Sequence, residues 1–219
     1  MPVIELKDCT VSYGTTKALD SISLSITQGE KVALIGPSGA GKSTLIRELY
    51  TLLGRKASLI HQQFALVPQL SVFHNVYIGK LDEHSFLFNL RNLFLPKHSV
   101  KNVVKNILTT LQIDEKLHSL ASNLSGGQQQ RVAVARALYR DAEYILGDEP
   151  VSSMDSHNGR NVLNLLAKYD KTIVLSMHDV DLALSYCNRI IGLQNGKILF
   201  DKKNTDVHAE DLKKLYSDL

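Results

Sequence analysis

The chain has 219 residues, 44% hydrophobic and 21% charged, with a formal net charge of +3 at pH 7. That is the balance of an ordinary globular protein long enough to bury a substantial core, and so small a charge gives no electrostatic case for nucleic acid. Cys9 and Cys187 lack metal-ligand spacing and read as buried thiols of a reducing compartment; no run approaches the roughly 18 apolar residues of a membrane span, and no signal-peptide pattern opens the chain.

Residues 2–13 and 18–27 alternate apolar and polar positions, as in Ser21-Ile22-Ser23-Leu24-Ser25-Ile26, the period of half-buried antiparallel strands. A short apolar run at 31–35 leads into a glycine-rich loop, then a helix predicted over 42–53 and stopped by Gly54. A short strand is predicted at 58–61. Between 70 and 120 the pattern changes: Val103, Val104, Ile107, Leu108 and Leu111 recur at helical spacing without strand alternation. This predicts a helical lobe inserted into an α/β core. The core resumes with a helix over 127–139, a buried strand over 144–146, a helix near 158–169 and a strand over 172–176. Residues 190–193 and 197–200 flank Asn195-Gly196, a hairpin turn signal. Strands alternating with helices predict a mainly parallel sheet covered on both faces. Residues 1–219 then form one domain, with 1–69 and 121–219 as the core and 70–120 as the lobe.

Gly36-Pro37-Ser38-Gly39-Ala40-Gly41-Lys42-Ser43-Thr44 fits G-x-x-x-x-G-K-[ST] between a predicted strand and helix, the context that this phosphate-binding motif requires. The glycines let backbone N–H groups and the helix N-terminus converge on phosphate oxygens. Lys42 is expected to reach the β- and γ-phosphates of ATP and Ser43 to ligate Mg²⁺. Asp148 and Glu149 end the apolar run 144–147, so both carboxylates lie at the carboxyl end of a buried strand, where ligands of parallel sheets bind. Asp148 is the expected holder of Mg²⁺ and Glu149 the expected base for the attacking water. Ser125, Gly126 and Gly127 open the helix that continues through Gln128, a second anion-binding terminus.

The order of phosphate loop, Leu124-Ser125-Gly126-Gly127-Gln128 and Asp148-Glu149 resembles the ATP-binding cassette subunit of ABC transporters, over about residues 3–201. The resemblance implies a P-loop NTPase core with an antiparallel β lobe and an inserted helical subdomain. It also implies that the signature covers ATP bound to a second, identical chain, so that two chains sandwich two nucleotides head to tail. Tyr13 matches the aromatic residue that stacks on adenine. Gln62, with Gln63 the adjacent alternative, matches the glutamine that touches Mg²⁺ and the attacking water. His178 matches the switch histidine, and Asp155 matches the aspartate that communicates between sites. Lys42 and Gln62 lie unusually close, so a strand hairpin common in relatives is expected to be missing and the β lobe reduced.

A lone cassette without coiled coils or a tandem copy favours a transport ATPase over DNA-repair or ribosomal members. Residues 66–76 and 178–190 resemble the phosphonate-importer group; an exporter or an importer of another cargo is the alternative. The implied partners are transmembrane permease subunits and, indirectly, a substrate-binding protein, with the chain peripheral on the cytoplasmic face of the inner membrane.

Overall fold

The alternating N-terminal segments pair as a long antiparallel hairpin, β1 (Pro2–Tyr13) with β2 (Thr16–Thr27), in a computed structural model that describes residues 2–217. β2 buries Ile22, Leu24 and Ile26 with the period of two expected of a one-sided strand, and Leu19 beyond an irregularity at Ser21. Two strands alone are marginal in water. This pair is stabilised by laying its apolar face on Leu45, Ile46 and Leu49 of α1 (Lys42–Leu53).

The second sheet contains β3 (Lys31–Ile35), β4 (Ala57–Ile60), β5 (Tyr144–Asp148), β6 (Thr172–Ser176), β7 (Arg189–Gln194) and β8 (Lys197–Lys203). Their spatial order is β4-β5-β6-β3-β7-β8, parallel except for β8, which returns through the Asn195-Gly196 hairpin. Both hairpin residues have positive φ, 51° and 73°, the conformation of a tight two-residue turn. β3, with the phosphate loop at its end, lies between β6 and β7. Apolar clusters cover both faces, so β3 and β6 read as continuous Val, Ile and Leu runs.

Only the three-residue 3₁₀ turn Gly54–Lys56 separates α1 from β4, so the chain has no strand hairpin there. Residues 70–120 form α2 (Val72–Tyr77), α3 (Phe86–Phe94) and α4 (His98–Thr110). The segment closes on itself: the Val72 N–H donates to the Ser119 carbonyl at 2.9 Å and the Ala121 N–H to the Leu70 carbonyl at 3.0 Å. Its apolar residues, among them Val104 and Leu108, join the cluster around α5 (Gly126–Arg140).

Several elements differ from the sequence pattern. α6 (Ser156–Lys168) begins two residues earlier than expected because the Asp155 carboxylate caps its first turn, accepting from the His157 and Asn158 N–H groups. β8 runs on through Asp201, Lys202 and Lys203, polar residues that carry no strand signal, with Asp201 paired to Arg189 at 2.7 Å. α7 (Val180–Tyr186) and α8 (Ala209–Leu215) were not anticipated; seven residues are too few for a period of 3.6 to declare itself.

Candidate active site

The phosphate loop turns back under β3 in a way that only glycine permits at two positions. Gly36 has φ 148° and a Cβ there would lie 2.1 Å from the Leu193 carbonyl oxygen; Gly41 has φ 103° and a Cβ would lie 2.5 Å from that of Ala18. Gly41 is also the residue before α1, so the loop feeds directly into a helix N-terminus. Lys42 is buried, and its Nζ donates to the carbonyls of Gly36 at 2.7 Å and Pro37 at 2.9 Å. The ammonium is thus held over the loop. Burial holds its pKa below the ordinary lysine value, while the nearby Glu149 and Asp148 charges pull it back up.

Ser43 and Asp148 meet across the sheet: Ser43 Oγ donates to Asp148 Oδ1 at 2.9 Å. Ser176 Oγ donates to the same oxygen at 2.7 Å and accepts from the Glu149 N–H at 2.9 Å. Ser176 ends β6, next to β5, and is in register with Asp148. Glu149 has φ 51°, a left-handed conformation rare for a residue with a side chain. Its Oε1 lies 2.6 Å from His178 Nε2, which carries the hydrogen of that bond. Tyr13, Ala18, residues 38–44, Glu149 and His178 line one cleft. Ser38, Gly39, Ala40 and Thr44 thus share this cleft with Glu149 and His178. Tyr13 is half-exposed at its mouth, its hydroxyl accepting from Arg47 Nη1 of α1 at 3.0 Å.

Gln62 and Gln63 are exposed in the turn after β4. β4 and β5 are parallel with Ile60 beside Gly147, so Gln62 and Glu149 leave neighbouring strands at the same level. The turn is held by the signature helix α5. Phe64 and Ala65 have φ 61° and 48°, each costing about 1–3 kcal/mol for a non-glycine residue. Arg136 of α5 donates to both their carbonyls, at 2.7 and 2.6 Å. Burial lowers its pKa.

The signature lies elsewhere. Ser125 caps α5, accepting from the Gln128 N–H, while Gln128 Oε1 accepts from the Ser125 N–H at 3.0 Å, a capping box. Ser125, Gly126, Gly127 and Gln128 line a cleft with Arg131, Asp155 and Asn158, and it shares no residue with the phosphate-loop cleft. Asp155 lines the signature cleft and also a third cleft that contains Glu149 and His178. Hydrogen bonds from Asn158, then His157, hold its carboxyl below the usual range.

Sequence reasoning missed Ser176, Arg136 and Gln130. Ser176 is the polar end of an otherwise largely apolar strand, the signal that could have marked it. Gln130 lies in a polar run and Arg136 between alanines, and only the packing shows what they hold.

Tyr13→Ala is expected to weaken ATP and GTP by similar factors, about 1–3 kcal/mol, because stacking reads a π-face and not an exocyclic group. Parallel titrations of the two nucleotides check this; a loss confined to ATP would exclude Tyr13 as a stacking platform.

The family model described as "ABC transporter" matches residues 19–152. The chain is similar to the phosphonates import ATP-binding protein PhnC of Rhizobium etli, 38% identical over 243 positions that cover 98% of this chain and 86% of the relative. The Shouchella clausii protein of the same name is 36% identical over 98% of this chain and 91% of its own length. Both alignments are longer than the chain, so those relatives carry residues that it lacks. Among solved structures, the dimeric bacterial ABC transporter cassette MJ0796 matches with a TM-score of 0.82 and 28% identity, over 91% of this chain and 98% of that one. Its post-hydrolysis dimer bound to ADP and Pi matches with a TM-score of 0.79 and 29% identity over the same shares. With the phosphate loop, the strand-end carboxylates and the signature each seated in the fold, the chain belongs to the ABC transporter family and is one of its ATP-binding subunits.

Proposed function

We propose that this chain is the ATP-hydrolysing subunit of an importer for phosphonates or related small anions, working as a head-to-tail pair. What carries the reading is the cleft in which the phosphate loop faces Glu149 and His178, while the signature opens on a different cleft of the same chain. A nucleotide seated on the phosphate loop would lie in a cleft lined by Glu149 and His178 and by none of the signature residues. A second copy, turned so that its Ser125 and glycine N–H groups face the γ-phosphate, would complete each site.

The donor set suits Mg²⁺. Ser43 and Asp148 present hard oxygens 2.9 Å apart, and no group of three or more His, Cys, Asp or Glu that could cage a metal occurs among the described residues. Such a site suits an ion that takes its other oxygens from phosphate and water. Bound there, Mg²⁺ would neutralise charge across the β- and γ-phosphate oxygens. Lys42 and the loop N–H groups hold the phosphates. Ser176 and Ser43 orient the Asp148 carboxylate. Glu149 takes the proton of the attacking water, and His178 fixes the direction of its carboxylate. Gln62, level with Glu149, is placed to orient the same water.

No helix among the described residues is long and apolar enough to cross a membrane. The lobe instead exposes Phe86, Leu87, Phe94 and Leu95, all more than 70% accessible, along and just beyond α3. So large an apolar face marks a docking surface. We assign it to permease subunits, which would hold the chain peripherally on the cytoplasmic face of the inner membrane, with a substrate-binding protein outside. Two lines of support, the named relatives and the likeness of residues 66–76 and 178–190, point to phosphonates. Deleting the gene should abolish growth of the host on a phosphonate as sole phosphorus source, and the wild-type gene should restore it. Leu87→Glu with Phe94→Glu should fail to restore it while the purified protein binds ATP normally. Restored growth with that double variant would exclude α3 as the docking face; growth without the gene would exclude the cargo.

A further inference from the structure

We propose that Gln130 is a positioning residue for the general base Glu149, an inference that rests on the ATPase reading above. Gln130 follows the signature by two residues and projects from α5 into the interior, where it is fully buried. Its Nε2 donates to the Glu149 carbonyl at 2.7 Å and its Oε1 accepts from the Ser153 N–H at 2.8 Å. A buried amide is tolerated when both its ends are bonded. Here both partners belong to one short loop, the one that leaves β5 with the catalytic carboxylate.

That loop needs holding. Glu149 occupies the left-handed region at φ 51°, which a residue bearing a Cβ leaves readily unless its two peptide units are fixed. The preceding unit is fixed by the Glu149 N–H bond to Ser176 Oγ. The following unit is fixed through the Glu149 carbonyl, by Gln130 and by Ser152 Oγ at 3.1 Å. Ser152 is exposed and moves with the same loop, whereas Gln130 reaches across from another element. The two peptide units together set the direction of the Cα–Cβ bond, and so whether the carboxylate meets His178 at 2.6 Å. Gln130 does not line the phosphate-loop cleft, so it acts through Glu149 and not on the nucleotide. It also ties the signature helix, whose first turn faces a partner's nucleotide, to this chain's own base.

The test uses the purified full chain. Gln130→Met keeps the side-chain length and removes both hydrogen bonds. Gln130→Glu keeps the acceptor for Ser153 and turns a carboxylate oxygen toward the Glu149 carbonyl. Both should lower kcat for ATP at least ~10-fold with KM changed less than about threefold, since a misdirected base is missed in the transition state and not in binding. In a Glu149→Gln background, Gln130→Met should cost less than about a further twofold, because nothing remains to be positioned. A folded Gln130→Met or Gln130→Glu with wild-type kcat overturns the proposal. So does an equal loss in the Glu149→Gln background, which would mean a general loosening of the fold. Should Gln130→Met not fold, Gln130→Glu decides by the same two readouts. Normal turnover in Glu149→Gln alone would overturn the assignment of Glu149 as the base, and absence of ATP turnover in the wild-type chain would overturn the ATPase reading; a loss in Glu149→Gln without one at Gln130 overturns only the present inference.

Discussion

Glu149→Gln will bind ATP with wild-type affinity and turn it over at least ~10²-fold more slowly, the effect of removing a positioned general base. The amide is nearly the same size as the carboxylate, and the groups that cradle phosphate are hydrogen-bonded elsewhere: Lys42 is held by Gly36 and Pro37, and Asp148 by Ser43 and Ser176. Only the proton acceptor is lost. Lys42→Ala should fail at an earlier step, because it removes the ammonium beside the phosphates and weakens binding itself. Measuring nucleotide affinity by titration and turnover by phosphate release separates the two defects. Near-normal turnover in Glu149→Gln would show that another group takes the proton.

The residues easiest to find in the sequence are those whose chemistry is contiguous in the chain. The phosphate loop, Asp148-Glu149 and the signature each announce themselves within a few residues, because backbone N–H groups and strand ends are local features. The short link from α1 to β4 was legible for the same reason: the three residues Gly54–Lys56 leave no room for a hairpin. Gln62 was singled out by its place after a strand, and parallel pairing of β4 with β5 puts it at the same level as Glu149. Ser176, Gln130 and Arg136 depend on contacts between elements far apart in sequence, and no local pattern encodes a serine that bridges two strands. Asp155 carries two readings at once. It caps α6 and also lines the signature cleft, and the cap is the one that set the helix boundary.

Ser125→Arg should leave ATP binding by dilute protein nearly unchanged and abolish ATP-driven pairing and turnover. Ser125 lies outside the cleft of its own phosphate loop, so the monomer's site does not contain it. A bulky cation in place of the helix cap would block the N–H groups that the proposed head-to-tail pair would turn toward the other chain's γ-phosphate, and would remove one side of the capping box with Gln128. The helix itself should survive, since losing a cap costs about 0.5–2 kcal/mol and α5 is anchored by buried Val132, Val134 and Leu138.

Mixing purified Ser125→Arg with purified Lys42→Ala tests the shared site most directly. In a head-to-tail pair of one chain of each kind, both defects fall in one site, and the other combines an intact phosphate loop with an intact signature. ATP turnover of the mixture should therefore rise above that of either variant alone. Turnover no higher than the average of the two variants would mean that each chain completes its own site and that the nucleotide is not shared between two chains.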